Sequence, residues 1–213
     1  MTDTVVTSRR REATRQKLMD AAAQVFAEVG LDGASVEAIC DRAGFTRGAF
    51  YSNFETKDEL FLELAGNVAR SRVATVRERV AELERSGAFA DAGGNAFEII
   101  QQVLDVSADD RLGVLLMNEI RIHALRHPDL AAAYLAQDDE MRGSVAQIID
   151  DIGRANVLRF RLEPDAAARL MLTVWESTAV RSVMAGHDHE EMCRLTNEEL
   201  ARVAQLLIES PGA

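Results

Sequence analysis

The residues best placed to do chemistry lie between Ser35 and Lys57. Ser35, Thr46 and Thr56 each stand just ahead of a short helical pattern, and each offers a hydroxyl to the helix it opens. Arg47 and Tyr51 are four residues apart, so a helix carrying them presents both on one edge. A helix N-terminus has free N–H groups and partial positive charge, which suit a phosphate oxygen. A guanidinium pairs in two places with the edge of guanine. Gly48, lacking a side chain, lets a neighbouring surface approach closely, and Tyr51, Ser52 and Asn53 have the reach to touch phosphates or bases. Lys57 would pin a phosphate backbone on the far side. This is the chemistry of holding a duplex, with phosphate contacts setting register and base contacts reading sequence.

The spacing around these residues predicts how they are held. A first helix is expected from about Arg11 to Val29, after a disordered start over residues 1–8. Its apolar stripe is Leu18, Ala22, Val25, Phe26 and Val29, and Gly30 closes it. A second helix, Val36 to Ala43, opens at Ser35 and ends at Gly44, where a left-handed backbone is allowed. Thr46 caps a third helix of about seven residues, near 10 Å long. Phe45 and Phe50 form a hydrophobic staple at its start, and Phe50 and Phe54 face inward together. Two helices joined by a glycine turn, the second facing outward with an arginine, make a helix-turn-helix reading head.

Thr56-Lys-Asp-Glu59 reads as a capping box for a fourth helix, Lys57 to about Arg85. Glycines then mark breaks at Gly87 and Gly93-Gly94. A fifth helix is expected over about 95–106 and a sixth from the Ser107-Ala-Asp-Asp110 signal to Arg126. Pro128 opens a seventh, reaching about Arg154, and Pro164 an eighth, closed by Gly186. A second capping box, Thr196-Asn-Glu-Glu199, places the start of the last helix at Thr196. Val157 to Leu162 is the nearest approach to a strand and is taken as a loop or helix end. The fold class is therefore all-α, with about nine helices. Residues 1–55 form a basic arm and helix-turn-helix domain, and residues 56–213 form a helical regulatory and dimerisation domain.

Composition narrows the function. The chain has 213 residues and a net charge of −11, which by itself disfavours nucleic acid. The distribution matters more. Residues 1–60 carry eight Lys/Arg and ten Asp/Glu, and the remainder carry 16 and 25. Arg9, Arg10, Arg11, Arg15 and Lys17 form a local basic cluster, and screening confines charge effects to about 8–10 Å at physiological salt. No apolar run reaches the roughly 18 residues of a membrane span, and no secretory signal is seen. Two isolated cysteines, Cys40 and Cys193, suit a reducing compartment, so a cytoplasmic location is expected.

The head resembles that of the TetR family of bacterial transcription regulators. The matching residues are Phe26 and Gly30, Ser35, Ala43-Gly44, and Tyr51, Phe54, Lys57 and Leu60. The resemblance covers about residues 11–65. It implies a homodimer that binds a palindromic operator and is released by a ligand held in the C-terminal domain. It assigns recognition to Thr46, Arg47, Gly48, Ala49, Tyr51, Ser52 and Asn53, and phosphate contact to Ser35, Tyr51 and Lys57. Cys40 stands where a small alanine is usual, Val36 replaces a common threonine, and Ser52 is smaller than the residue many members use. The last two helices are expected to pair with their mates in a C2 dimer.

Met117, Ile120, Arg121, Ala124, Met171 and Trp175 are the candidate ligand-contacting residues, suited to a small apolar or amphipathic effector. The bland alternative makes them core. His123 and His127 are candidates for sensing ligand or pH. His187-Asp-His-Glu-Glu-Met-Cys193 groups metal-capable side chains without a tetrahedral template and reads as a solvated turn, so no metal and no cofactor is expected. An enzyme is the second reading, but no nucleophile elbow, phosphate-cradling loop or zinc-protease motif is present. The acid pairs Asp109-Asp110, Asp138-Asp139 and Asp150-Asp151 read as helix faces and starts. A helical interaction module is the third. Repression is favoured over activation, and the chain is read as a repressor.

Overall fold

The computed structural model describes residues 2–87, 102–103, 111–154 and 159–209. Eight helices run through the described residues, and no strand is present among them. They are α1 (Thr2–Gly33), α2 (Val36–Ala43), α3 (Arg47–Tyr51), α4 (Lys57–Ser86), α5 (Arg111–Arg126), α6 (Pro128–Arg154), α7 (Pro164–Met184) and α8 (His189–Leu207). The expected helix over 95–106 lies outside the described residues except for 102 and 103, which are helical, as does the Ser107–Asp110 start signal.

The chain forms two compact units. One comprises Met1–Val68 with Leu115–Tyr134, the other Ala69–Val114 with Leu135–Ala213. The core of the first contains Leu18, Met19, Ala22, Val25, Phe26, Leu31, Ile39, Phe50, Phe54, Leu60 and Phe61, all buried. The Phe26 and Phe61 rings lie 6.0 Å apart in a tilted pair. Ile120 and Ala124 are buried as well. In the second unit, Val80, Leu83, Val103, Ile148, Ile152, Leu200, Ala201 and Ala204 form one cluster, with Met171, Val174 and Trp175 packed against it. Helices α7 and α8 pack along each other.

Several boundaries differ from expectation. Helix α1 begins at Thr2, because residues 2–29 contain neither proline nor glycine to break it. Gly30 does interrupt the helix, at φ 73°. Val29 leaves the predicted stripe and is 54% exposed. Helix α3 has five residues rather than seven, since Ser52 already ends it. The last helix starts at His189, capped by Asp188, whose side chain accepts the Glu191 N–H. The Thr196 capping box is therefore not used. Thr196 is buried mid-helix and its hydroxyl donates to the Met192 carbonyl at 2.7 Å. The expected turn at His187–Cys193 is largely the first turns of α8. Near Phe160 the chain makes one antiparallel bridge to Ile208, with Arg161 N–H donating to Leu207 and Glu209 N–H to Arg159.

Candidate nucleic-acid interface

The head is assembled by caps at each helix start. The Ser35 hydroxyl accepts the Ala38 N–H at 3.1 Å, that of Thr46 accepts the Ala49 N–H at 3.2 Å, and that of Thr56 accepts the Glu59 N–H at 3.0 Å. Between α2 and α3 the chain reverses through Gly44 at φ 71°, and the Phe45 N–H closes the turn on the Cys40 carbonyl at 2.9 Å. An L side chain at Gly44 would be strained, so this glycine sets the angle between the two helices.

Phe50 anchors α3. It is fully buried, with the Phe54 ring 5.8 Å away. The Arg15 guanidinium lies 4.2 Å over Phe54, pairs with Glu63 and donates to the Asn53 carbonyl. Arg15 is thus a strut inside the head rather than part of the outer basic cluster. Arg10, Arg11 and Lys17 of that cluster are exposed.

With Phe50 turned inward, the opposite edge of α3 faces out. Tyr51 is 51% exposed and stacks edge-on against Phe50. The Arg47 guanidinium sits 6.0 Å from the Tyr51 ring centroid, and its Nη1 lies 2.7 Å from Glu37 Oε1. Hydrogen bonding to Tyr51, then the Glu37 carboxylate, raises Arg47 above its ordinary value. Gly48 and Thr46 are exposed and Ala49 is half-buried.

Other candidates are engaged within the protein. The Ser52 hydroxyl donates to the Gly48 carbonyl at 2.8 Å and remains exposed. Asn53 is only 9% exposed and its amide donates to the Ala49 carbonyl at 2.8 Å. It seals the end of α3, because the last carbonyls of a short helix need donors. Lys57 Nζ donates to the Leu31 carbonyl at 2.9 Å and is half-buried. Leu31 is also held from the other side: its N–H donates to Glu119 Oε2 at 2.6 Å. Nearby, Asp32 meets His123 Nε2 at 3.0 Å, and the His123 and His127 rings stack. Arg42 grips Glu28 with both terminal guanidinium nitrogens, at 2.9 and 2.8 Å, which holds the Glu28 carboxyl below its usual range.

The ligand candidates fall in both units. Met117, Ile120, Arg121 and Ala124 belong to the first, and Met171 and Trp175 to the second. Arg121 Nε donates to the Tyr134 hydroxyl at 3.0 Å. Among the described residues no group of three or more His, Cys, Asp or Glu is arranged to hold a metal, and no helix is long and apolar enough to cross a membrane. Sequence reasoning missed Glu37 and Glu119. Glu37 carries no motif signal, and Glu119 is 88 residues from the turn it holds.

The family model for bacterial regulatory proteins of the tetR family matches residues 18–64, which span this three-helix head. Over these residues the chain matches the TetR family model. The regulator AcrR of Shigella flexneri is 32% identical over 118 residues, 55% of this chain and 52% of that protein. The repressor AcnR of Corynebacterium efficiens is 38% identical over 65 residues, 30% of this chain and 35% of that protein. The chain thus spans about half or less of the length of these TetR-type relatives. Both are transcriptional regulators by name. The fold is shared with the transcriptional regulator FadR of Bacillus subtilis, solved in complex with stearoyl-CoA. There the TM-score is 0.64 at 17% identity, covering 89% of this chain and 97% of that one.

Proposed function

We propose that the chain is a repressor that binds a palindromic operator as a homodimer and leaves it when a small apolar or amphipathic effector binds. Residues 1–55 carry the DNA-reading role and residues 56–213 the regulatory and dimerising one. The observation that carries this reading is the outward Arg47–Tyr51 edge of α3, backed by the buried Phe50. Arg47 reads base edges, Gly48 and Ala49 permit close approach, and Ser35, Thr46, Tyr51 and Ser52 meet phosphates. Asn53 and Lys57 act mainly by holding the edge in place, since the Asn53 side-chain N–H and the Lys57 ammonium donate to backbone carbonyls inside the head.

A repressor among the relatives supports repression, and a neighbour holding an acyl-CoA supports an effector with an apolar tail. Exposed Leu170 and Met184 on α7 and Leu206 on α8, the last 76% exposed, support a second copy against these two helices.

Selection of bound sequences from random duplex DNA tests the reading, repeated while small molecules are screened for release. A recovered palindrome is the expected result. A chain that retains no duplex at low ionic strength would end it.

A further inference from the structure

The geometry points to Glu37 as a positioning residue that aims Arg47 at one base, an inference that rests on the reading of α3 as the DNA-reading helix. Arg47 is long and exposed, and such a side chain loses much rotamer freedom on making a defined contact. Two features restrain it beforehand. The Glu37 carboxylate holds Nη1 at 2.7 Å, and the Tyr51 ring lies beside the guanidinium. Glu37 stands in the first turn of α2 and Arg47 in the first turn of α3. The Gly44 turn therefore fixes the spacing across which they pair. A guanidinium has five N–H donors, so one held by Glu37 leaves a full edge for guanine N7 and O6.

An ion pair this exposed adds little to folding, because water and salt screen it. Beside a phosphate backbone, an unpaired Glu37 would weaken DNA binding by like-charge repulsion. Paired, its charge is offset by Arg47, and what remains is its control of where the guanidinium points. Loss of the carboxylate therefore has two opposed effects. Affinity for any duplex rises, while discrimination at the base that Arg47 reads falls.

The test uses the full chain, a duplex carrying the sequence recovered by selection, and variants of that duplex with single base pairs changed. Expected for Glu37→Gln is tighter binding to unrelated duplex at low salt. Discrimination should fall about tenfold at one position of each half-site. Glu37→Asp should retain part of that discrimination. In an Arg47→Ala background Glu37→Gln should change discrimination no further. Matching thermal melts establish that the variants are folded. Wild-type discrimination retained by Glu37→Gln overturns the inference while leaving the DNA-reading function standing. An equal loss in the Arg47→Ala background overturns it too, because Glu37 would then read a base directly. A wild-type chain that prefers no duplex removes the function itself, and this inference with it.

Discussion

Glu119 accepts the Leu31 N–H at 2.6 Å from a position 88 residues further along the chain. The need arises locally. Gly30 leaves helical geometry at φ 73°, so Leu31 cannot donate along α1 as a helical residue would. A carboxylate supplies the missing acceptor. Glu119→Leu is expected to lower the unfolding free energy by about 1–3 kcal/mol, the cost of leaving a buried donor unsatisfied. Glu119→Gln should lose less, because its amide oxygen still accepts. Urea denaturation measures both, and a Glu119→Leu protein as stable as the parent would refute the account.

Lys57 completes the grip on Leu31 from its carbonyl side. Lys57→Met should therefore cost about 1 kcal/mol in the absence of any DNA. A lysine spent only on phosphate would leave stability untouched. It would instead reduce the slope of log affinity against log salt by about 0.9. Denaturation and salt titration of the same variant separate the two roles.

Arg15 and Arg11 should behave as opposites although they are close in sequence. Arg15 is committed to Glu63, Phe54 and the Asn53 carbonyl, so Arg15→Met should destabilise the head by about 1–3 kcal/mol. Arg11 is exposed, and Arg11→Gln should leave the melting temperature unchanged while reducing the salt slope of duplex binding.

The two thiols should differ in reactivity. Cys40 is buried and Cys193 half-buried, and burial raises both above the ordinary thiol value. At neutral pH iodoacetamide is expected to label Cys193 slowly and Cys40 only when the head opens. Labelling of Cys40 should therefore follow the urea unfolding curve. Fast labelling of Cys40 in native buffer would contradict its placement.

Acid should weaken both helical pairings made by arginine. Glu28 beside Arg42 and Glu191 beside Arg194 are both held below the ordinary carboxyl value by the hydrogen-bonded guanidinium. A depressed carboxyl contributes stability that is complete above the unfolded value and is lost as pH falls through the folded one. The loss should thus begin below about pH 4.5 and be small, because both groups are exposed. Glu28→Gln and Glu191→Gln should each flatten the stability profile in that window and nowhere else.

Local rules made much of the head legible. Ser35, Thr46 and Thr56 cap because a hydroxyl before a helix satisfies an N–H three residues on. Gly44 turns because it tolerates positive φ. Pro128 and Pro164 start helices because a missing N–H costs nothing there. The same local rules erred at Thr196, where a serviceable capping box lies inside a helix already begun at Asp188. They gave no sign that the Asn53 amide donates to the Ala49 carbonyl and finishes α3.

The sequence by itself determined the helical periodicity, the order of helices in the head and the outward edge shared by Arg47 and Tyr51. Each of these depends on residues within a few positions of one another. Only the tertiary structure decided which charges are spent inside. Arg15 on Glu63, Lys57 on the Leu31 carbonyl and Glu119 on the Leu31 N–H are such pairings across separate elements, and the exposed pair of Glu37 with Arg47 is another that folding alone brings together. A charged side chain looks the same in a sequence whether it faces water or a partner, and folding alone sets which atoms come within hydrogen-bonding distance.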